Sequence, residues 1–118
     1  IQAAQFYKTH LGHLGINQID APADYQENGY CHVGLIENAD LKQTIEAALK
    51  LNNIGFGNIY PGAMSEQECS KCYMYAHVGG NQAQKICSSV INLPVFPYIT
   101  SGELSIVVDV VKSACEEK

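Results

Sequence analysis

Hydrophobic and polar residues alternate along one stretch of the first half of the chain, and in the next stretch they recur with the period of a helix. Residues 29–36 alternate, with Cys31 on one face and His32 on the other, which predicts a strand. Residues 40–51 carry a single apolar stripe, which predicts an amphipathic helix that Asp40 can cap. The stripe consists of Leu41, Ile45, Ala48 and Leu49.

Three further elements are expected in the second half of the chain. Residues 72–78, CYMYAHV, alternate again and predict a second strand. Asn81 can cap a second helix. The apolar stripe of that helix consists of Ala83, Ile86, Cys87, Val90 and Ile91. Residues 103–115 are rich in β-branched side chains on both faces, which favours a central strand that is covered on both sides.

Together these elements predict an α/β (α+β) sandwich, in which two helices cover a mostly antiparallel sheet. The 118 residues suffice for one domain, and a chain of this size buries roughly two thirds of its unfolded surface. We find no boundary or linker and expect a single domain, residues 1–118. Residues 1–28 show the weakest pattern, and we expect them to include a partly extended arm.

Composition and charge exclude several classes of partner. The chain is 47% hydrophobic and 16% charged, which is typical of a globular protein. Its net charge is −5 and it contains no arginine, so it is poorly suited to phosphate backbones or anionic membrane surfaces. No apolar run approaches the ~20 residues of a membrane-spanning helix. The first residues lack a basic, apolar leader, so a secreted protein would be present here in its processed form.

The five cysteines raise three alternatives. Cys69 and Cys72 form a C-x-x-C that His77 follows, as in a zinc knuckle, but Cys87 comes too late in the chain to complete one. A thioredoxin-type redox pair is also disfavoured, because the motif is expected to precede a strand rather than open a helix. We therefore expect disulfide bonds and no metal site.

The expected bridges join distant elements of the chain. We predict that Cys31 pairs with Cys87, and that Cys115 pairs with Cys69 or Cys72. The sequence leaves the connectivity open, and one thiol remains unpaired. Bridges that close such long loops stabilise a small domain by roughly 3–4 kcal/mol each.

Sequence motifs for catalysis are missing. The chain contains no G-x-S-x-G, H-E-x-x-H, G-x-G-x-x-G or P-loop sequence. We therefore expect no enzyme activity, no catalytic residues and no cofactor. Tyr73 and Tyr75, together with His77, are the candidate binding surface, because tyrosine combines an apolar ring with a polar tip. Tyr30 and Tyr60 are further candidate contact residues.

The order of several short motifs resembles the fungal killer-toxin family typified by the virally encoded killer protein four. The matching segments are LGIN at 14–17, the helix region 31–51, IYPGAMSEQEC at 59–69, CYMYAHVGG at 72–80, CSSVINLP at 87–94 and GELSIVVDVV at 102–111. The resemblance implies a small secreted α/β sandwich. It also implies a toxin-like or effector-like virulence protein that binds a target on or in other cells and interferes with ion channels or host defence.

A second resemblance gives the alternative function. The C-x-x-C-Y sequence at 69–73 and the terminal GELSIVV…C segment look like the double-psi β-barrels of barwin and expansin proteins. That resemblance implies a protein that binds cell-wall carbohydrate without lytic activity. In either case we expect an extracellular monomer. Its partner would be an unknown protein on a competing or host cell, with no nucleic acid and no membrane span.

Overall fold

The fold of this chain combines helices with one small sheet. The computed structural model describes residues 1–58 and 62–117. The elements are α1 (Gln2–Leu11), β1 (Asn17–Gln18), β2 (Gly34–Leu35), α2 (Ala39–Leu51), α3 (Glu68–Lys71), α4 (Asn81–Ser89), β3 (Val90–Ile91) and α5 (Ser101–Glu116), with 3-10 turns at Gly12–Leu14 and Met64–Glu66. Among the described residues, no helix is both long and apolar enough to cross a membrane.

The N-terminal region begins with a helix. Ala3, Tyr7 and Leu11 lie four residues apart along α1, so they share one face, and all three are buried. Residues 19–33 form no helix or strand, and most of their side chains are exposed. Part of the region that we expected to be an extended arm is therefore a core helix. The single-domain assignment stays a prediction.

The three strands form one antiparallel sheet with β2 in the centre. Gly34 pairs with Gln18 on one side and with Ile91 on the other. A Cβ atom on Gly34 would lie 2.9 Å from the His32 ring and 3.2 Å from Ile16, so a glycine allows the close approach of these side chains. The strand predicted at 29–36 is thus confirmed at Gly34–Leu35, with His32 and Ile36 on its buried face.

Helix α2 confirms the predicted amphipathic helix but corrects its cap. Asn38, not Asp40, is the N-cap, since its side-chain oxygen accepts hydrogen bonds from the amides of Asp40 and Leu41 at 3.0 and 3.1 Å. Ile45 and Leu49 of the predicted stripe are buried. The remaining stripe residues, Leu41 and Ala48, pack at the edge of the core.

The last predicted strand is wrong, because residues 101–116 form helix α5. The Thr100 hydroxyl accepts a hydrogen bond from the Glu103 amide at 3.2 Å, and the Glu103 carboxylate accepts one from the Thr100 amide at 2.7 Å. This capping box starts the helix. Its buried face follows the helical period and consists of Leu104, Val107, Val108, Val111 and Ala114. Asp109 interrupts the apolar run because it lies on the exposed face.

The strand predicted at 72–78 is also wrong. Cys72 is the C-cap of α3, and residues 73–80 after it form neither helix nor strand. Tyr75 and Val78 are 100% and 95% exposed, so the alternating pattern has no partner strand and no core to cover. Two strands of the expected sandwich are therefore missing from their predicted positions.

Helix α4 begins after Gly80, which has φ +84° and serves as the N-cap in place of the predicted Asn81. The apolar stripe predicted for this helix is correct only at its end. Ala83 is exposed and Ile86 is 45% exposed, whereas Val90 and Ile91 are buried because they belong to β3.

The core lies where α5 packs against α1 and α2 over the sheet. The largest fully buried apolar side chains are Tyr7, Leu11, Ile16, Ile36, Ile45, Leu49, Ile91 and Val111. The core residues come from α1, α2, β3 and α5 and from positions beside the strands such as Ile16, Ile36 and Leu93, so the short helix α3 and the segment after it lie outside the core.

The predicted disulfide bonds are wrong, because all five cysteines are free. The prediction placed Cys115 at the end of a strand, Cys72 at the start of another and Cys69 just before it. Instead, Cys115 lies on α5 beside the core, and Cys69 and Cys72 are exposed on α3 and at its C-cap. Cys31 and Cys87 are half-buried and also unpaired.

Candidate functional site

A cleft of about 1030 Å³ opens between three segments that are remote in sequence. Its walls come from the first turns of α1, the loop at 28–30, and residues 95–104 where the chain enters α5. Aromatic and aliphatic side chains dominate, and the polar groups are amides and hydroxyls, such as those of Asn28, Tyr30 and Ser101. No lysine, carboxylate, histidine or cysteine lies among the lining residues, so the cleft suits uncharged surfaces.

The loop that forms one wall of the cleft is held in an unusual backbone conformation. Tyr98 has φ +67° while its side chain is 97% exposed. A non-glycine residue with positive φ costs free energy, so the neighbouring contacts must fix it. The Ile99 amide donates to the Phe96 carbonyl at 3.2 Å, and the Tyr7 hydroxyl of α1 donates to the Pro94 carbonyl at 2.7 Å. The first bond closes a turn within the loop, and the second fastens the loop to α1.

A buried histidine packs against Tyr7, the residue that bonds to the loop of the cleft at Pro94. His32 is 2% exposed, and its ring packs edge-on against Tyr7, with 5.0 Å between the ring centroids. Its Nε2 donates to the Gln18 side-chain oxygen at 2.8 Å, and its Nδ1 faces the Leu93 amide at 3.4 Å. The Asn92 side chain donates to the His32 carbonyl. His32 thus connects α1, β1 and the chain that follows β3.

The ionisation of this cluster is consistent with a structural role. Burial lowers the pKa of His32 to about 4 and raises the pKa of Tyr7 to about 12. Both groups are therefore neutral near pH 7, and His32 keeps its proton on Nε2, toward Gln18. A histidine with so low a pKa is not poised to exchange protons at neutral pH.

The residues proposed from the sequence are distributed differently. Tyr30 lines the cleft. Tyr73, Tyr75 and His77 do not line it and lie on the exposed segment after α3, where a binding role stays a prediction. Tyr60 lies outside the described residues.

Sequence reasoning missed the other cleft residues. Phe96, Tyr98 and Ser101 lie in a proline-containing loop and at the start of α5, and nothing in their local pattern connects them with residues 1–6. The signal that could have been used is the aromatic content of VFPYIT, which is high for an exposed loop.

Ionisable residues elsewhere do not assemble into a reactive centre in the part of the chain that the structure describes. Residues 1–58 and 62–117 hold no group of three or more metal-ligating side chains. None of the described lysines is buried. Four of them pair with carboxylates: Lys8 with Asp20, Lys42 with Glu46, Lys71 with Glu68 and Lys85 with Glu37. His32 and Ser89 are the buried polar residues of the described chain.

Comparison with known proteins relates the chain to aminotransferases. The family model described as DegT/DnrJ/EryC1/StrS aminotransferase matches residues 1–112. No curated protein sequence matches the chain.

Of three similar solved structures, two are described as aminotransferases. The DegT DnrJ EryC1 StrS aminotransferase from Brucella abortus is 20% identical, with a TM-score of 0.78. The match covers 95% of this chain and 29% of the Brucella chain. DesV of S. venezuelae, solved in complex with a ketimine intermediate, is 19% identical with a TM-score of 0.81. The match covers 98% of this chain and 30% of DesV. Spr1654 of Streptococcus pneumoniae, described as a sugar aminotransferase and solved in its PMP form, is 12% identical with a TM-score of 0.78. The match covers 98% of this chain and 30% of Spr1654. The chain thus spans less than a third of their length.

These matches overturn the functional predictions made from the sequence. The resemblances to killer toxins and to barwin or expansin proteins are wrong, since the family match and the structural neighbours are aminotransferases. The toxin or effector role, the alternative cell-wall binding and the absence of enzyme activity are wrong for the same reason. The secreted, extracellular location is wrong as well, because it rested on the toxin resemblance and on disulfide bonds, and the cysteines are free. A monomeric state and the absence of a nucleic-acid partner stay predictions.

Proposed function

Because this chain belongs to the DegT/DnrJ/EryC1/StrS aminotransferase family, we propose that it is one part of an enzyme that transfers an amino group to a sugar. The observation that carries the proposal is the family match, which covers residues 1–112 of 118. The sugar substrate is proposed because one structural neighbour, Spr1654, is described as a sugar aminotransferase.

The described residues of this chain do not fit the cofactor that such a reaction uses. Pyridoxal phosphate is bound through a lysine, and a charged side chain pairs with its pyridine nitrogen. Here no described lysine or carboxylate is buried, and the cleft between α1, residues 28–30 and residues 95–104 contains neither. We therefore assign cofactor binding to parts of the enzyme outside this chain, in agreement with the 29–30% of the relatives' length that the chain spans.

The role that we propose for this chain is to complete the enzyme with a preformed surface. The cleft is apolar and uncharged, and Tyr30, Phe96 and Tyr98 at its rim are 84%, 47% and 97% exposed. Exposed apolar patches of this kind mark surfaces that another part of a protein covers. We propose that the remaining part of the aminotransferase packs against this cleft.

An amino-transfer assay tests the proposed activity. The complete protein is supplied with pyridoxal phosphate, glutamate as amino donor and a panel of keto sugars, and the amino sugar is detected by mass spectrometry. We expect equal amounts of amino sugar and 2-oxoglutarate. Production of 2-oxoglutarate from glutamate with simple keto acids as acceptors, but with no keto sugar, would refute the substrate class and retain the aminotransferase. No transfer to any acceptor would refute both.

A further inference from the structure

Cys69 and Cys72 lie on one face of a helical turn, which the sequence pattern did not predict. Helix α3 spans Glu68–Lys71, and Cys72 continues it as the C-cap with φ −67° and ψ −25°. Residues three apart in a helix share a face, whereas residues three apart in a strand point to opposite faces. Cys69 and Cys72, which the sequence pattern placed before and at the start of a strand, therefore share one face of a helical turn.

The geometry of this turn is compatible with a sulfur–sulfur bond. Helical residues three apart have Cα atoms about 5 Å apart, within the range that disulfides accept. Their Cβ atoms are about 5–6 Å apart in a regular α-helix and must approach by about 1–2 Å. A turn of 3-10 type brings residues three apart into line. The turn already contains a bond of that type, since the Tyr73 amide donates to the Ser70 carbonyl at 3.1 Å.

Both thiols are accessible, and the turn is free to adjust. Cys69 and Cys72 are exposed, whereas the other three cysteines are half-buried. Burial raises the pKa of the Cys115 thiol, which disfavours its reactive thiolate form. Every residue from 71 to 83 is exposed, so tightening the turn at Cys72 displaces no packed side chain after it.

We propose that Cys69 and Cys72 are a redox-responsive dithiol, which closes to an internal disulfide when a small-molecule disulfide such as oxidised glutathione supplies the oxidising equivalents. This proposal does not rest on the aminotransferase activity, since neither cysteine lies in the cleft. It assigns a modification site to a motif that the proposed function leaves unused.

The reaction balances in two exchange steps. One cysteine thiolate attacks a sulfur of oxidised glutathione, which forms a mixed disulfide and releases one glutathione thiolate. The second cysteine thiolate then attacks the protein sulfur of the mixed disulfide and releases the second glutathione thiolate. The two protein thiols lose two electrons and two protons, and these reduce one oxidised glutathione to two reduced molecules. The new bond restrains the start of the exposed segment that carries Tyr73 and Tyr75.

Peptide mapping of the complete protein tests the proposal directly. The protein is incubated with oxidised glutathione, free thiols are alkylated, and trypsin is added without reductant. The lysines place each of the five cysteines in a different tryptic peptide, with Cys69 in 51–71 and Cys72 in 72–85. We expect these two peptides to be joined, with no glutathione attached and with the loss of two alkylatable thiols. Reductant should separate them.

Single-cysteine variants provide the controls. Cys69→Ser and Cys72→Ser each keep one exposed thiol without a partner, so we expect them to retain bound glutathione. Cys87→Ser changes a half-buried cysteine, and we expect the 51–71 and 72–85 peptides to be joined as before. The proposal is overturned if the unmodified protein retains glutathione to the same extent as the single variants, or if Cys69 or Cys72 bridges to a different cysteine. It is also overturned if the pair retains stoichiometric zinc and resists oxidation.

Discussion

At the scale of single residues, His32 shows how burial turns an ionisable side chain into a structural one. It is one of four histidines in the chain, and it is the only polar side chain besides Ser89 that is buried among the described residues. The alternating pattern at 29–36 placed it on the same face as Ile36, which the structure confirms. The sequence could not show that Gln18 and Leu93 would meet its two ring nitrogens, because those partners are 14 and 61 residues away.

The low pKa of His32 predicts that acid destabilises the fold. The folded-state pKa is about 4, below the ordinary value of 6.5, so the unfolded chain binds more protons between these values. The contribution of His32 is therefore fully present above pH 6.5 and is lost as the pH falls toward 4. This lowering of the His32 pKa corresponds to a loss of up to about 3 kcal/mol in the free energy of unfolding. Urea unfolding at a series of pH values measures it.

The variant His32→Gln is the control for this pH dependence. Glutamine does not titrate, so the variant should be less stable at pH 7 but should lose less stability than the unmodified protein between pH 6.5 and 4. Equal losses in the two proteins would contradict the assignment. If the variant does not fold, an NMR titration of the His32 ring in the unmodified protein gives the pKa directly, and an ordinary value near 6.5 would contradict it.

At the scale of elements, amphipathic helix α2 was predictable and α5 was not. The stripe of α2 contains leucine, isoleucine and alanine at helical spacing. In α5 the same spacing is present, but valine and isoleucine also fill neighbouring positions, so the segment fits a buried strand equally well. The T-x-x-E sequence at 100–103 before this apolar run was the signal that could have decided for a helix.

The capping box of α5 predicts a measurable cost for its removal. In Thr100→Ala the Glu103 amide loses its acceptor, and we expect the free energy of unfolding to fall by about 1 kcal/mol. Ser105→Ala on the exposed face of the same helix is the matched control and should be neutral or slightly stabilising, because alanine has the highest helix propensity. Urea unfolding of both variants measures the difference. Equal stability of the two would show that the box does not hold the start of α5.

At the scale of the whole molecule, the cleft could not be predicted because its walls are far apart in sequence. Residues 1–6, 28–30 and 95–104 line one cleft, and Tyr7 of α1 bonds to the Pro94 carbonyl and packs against His32. The disulfide framework failed as a whole-molecule prediction for a related reason. It placed Cys72 at the start of one strand and Cys115 at the end of another, whereas Cys72 is the C-cap of α3 and Cys115 lies on α5.

The proposed covering of the cleft predicts a change in solvent exposure. In the complete aminotransferase, hydroxyl-radical footprinting should modify Tyr30 and Tyr98 several-fold less than their exposed fractions of 84% and 97% in this chain imply. Tyr25, which is 74% exposed and does not line the cleft, is the internal reference. If Tyr30 and Tyr98 react as readily as Tyr25, the cleft stays open in the complete enzyme and the proposed packing is wrong.

The measurement that tests the central claim most directly is to locate the cofactor in the complete protein. The protein is loaded with pyridoxal phosphate, treated with borohydride to fix the cofactor to its lysine, and mapped by mass spectrometry. Our account predicts one stoichiometrically labelled lysine that belongs to none of the tryptic peptides of residues 1–118. A stoichiometric label on Lys42, Lys112 or any other lysine of this chain would contradict the assignment of the cofactor to the rest of the enzyme. No label at all would contradict the proposed aminotransferase itself.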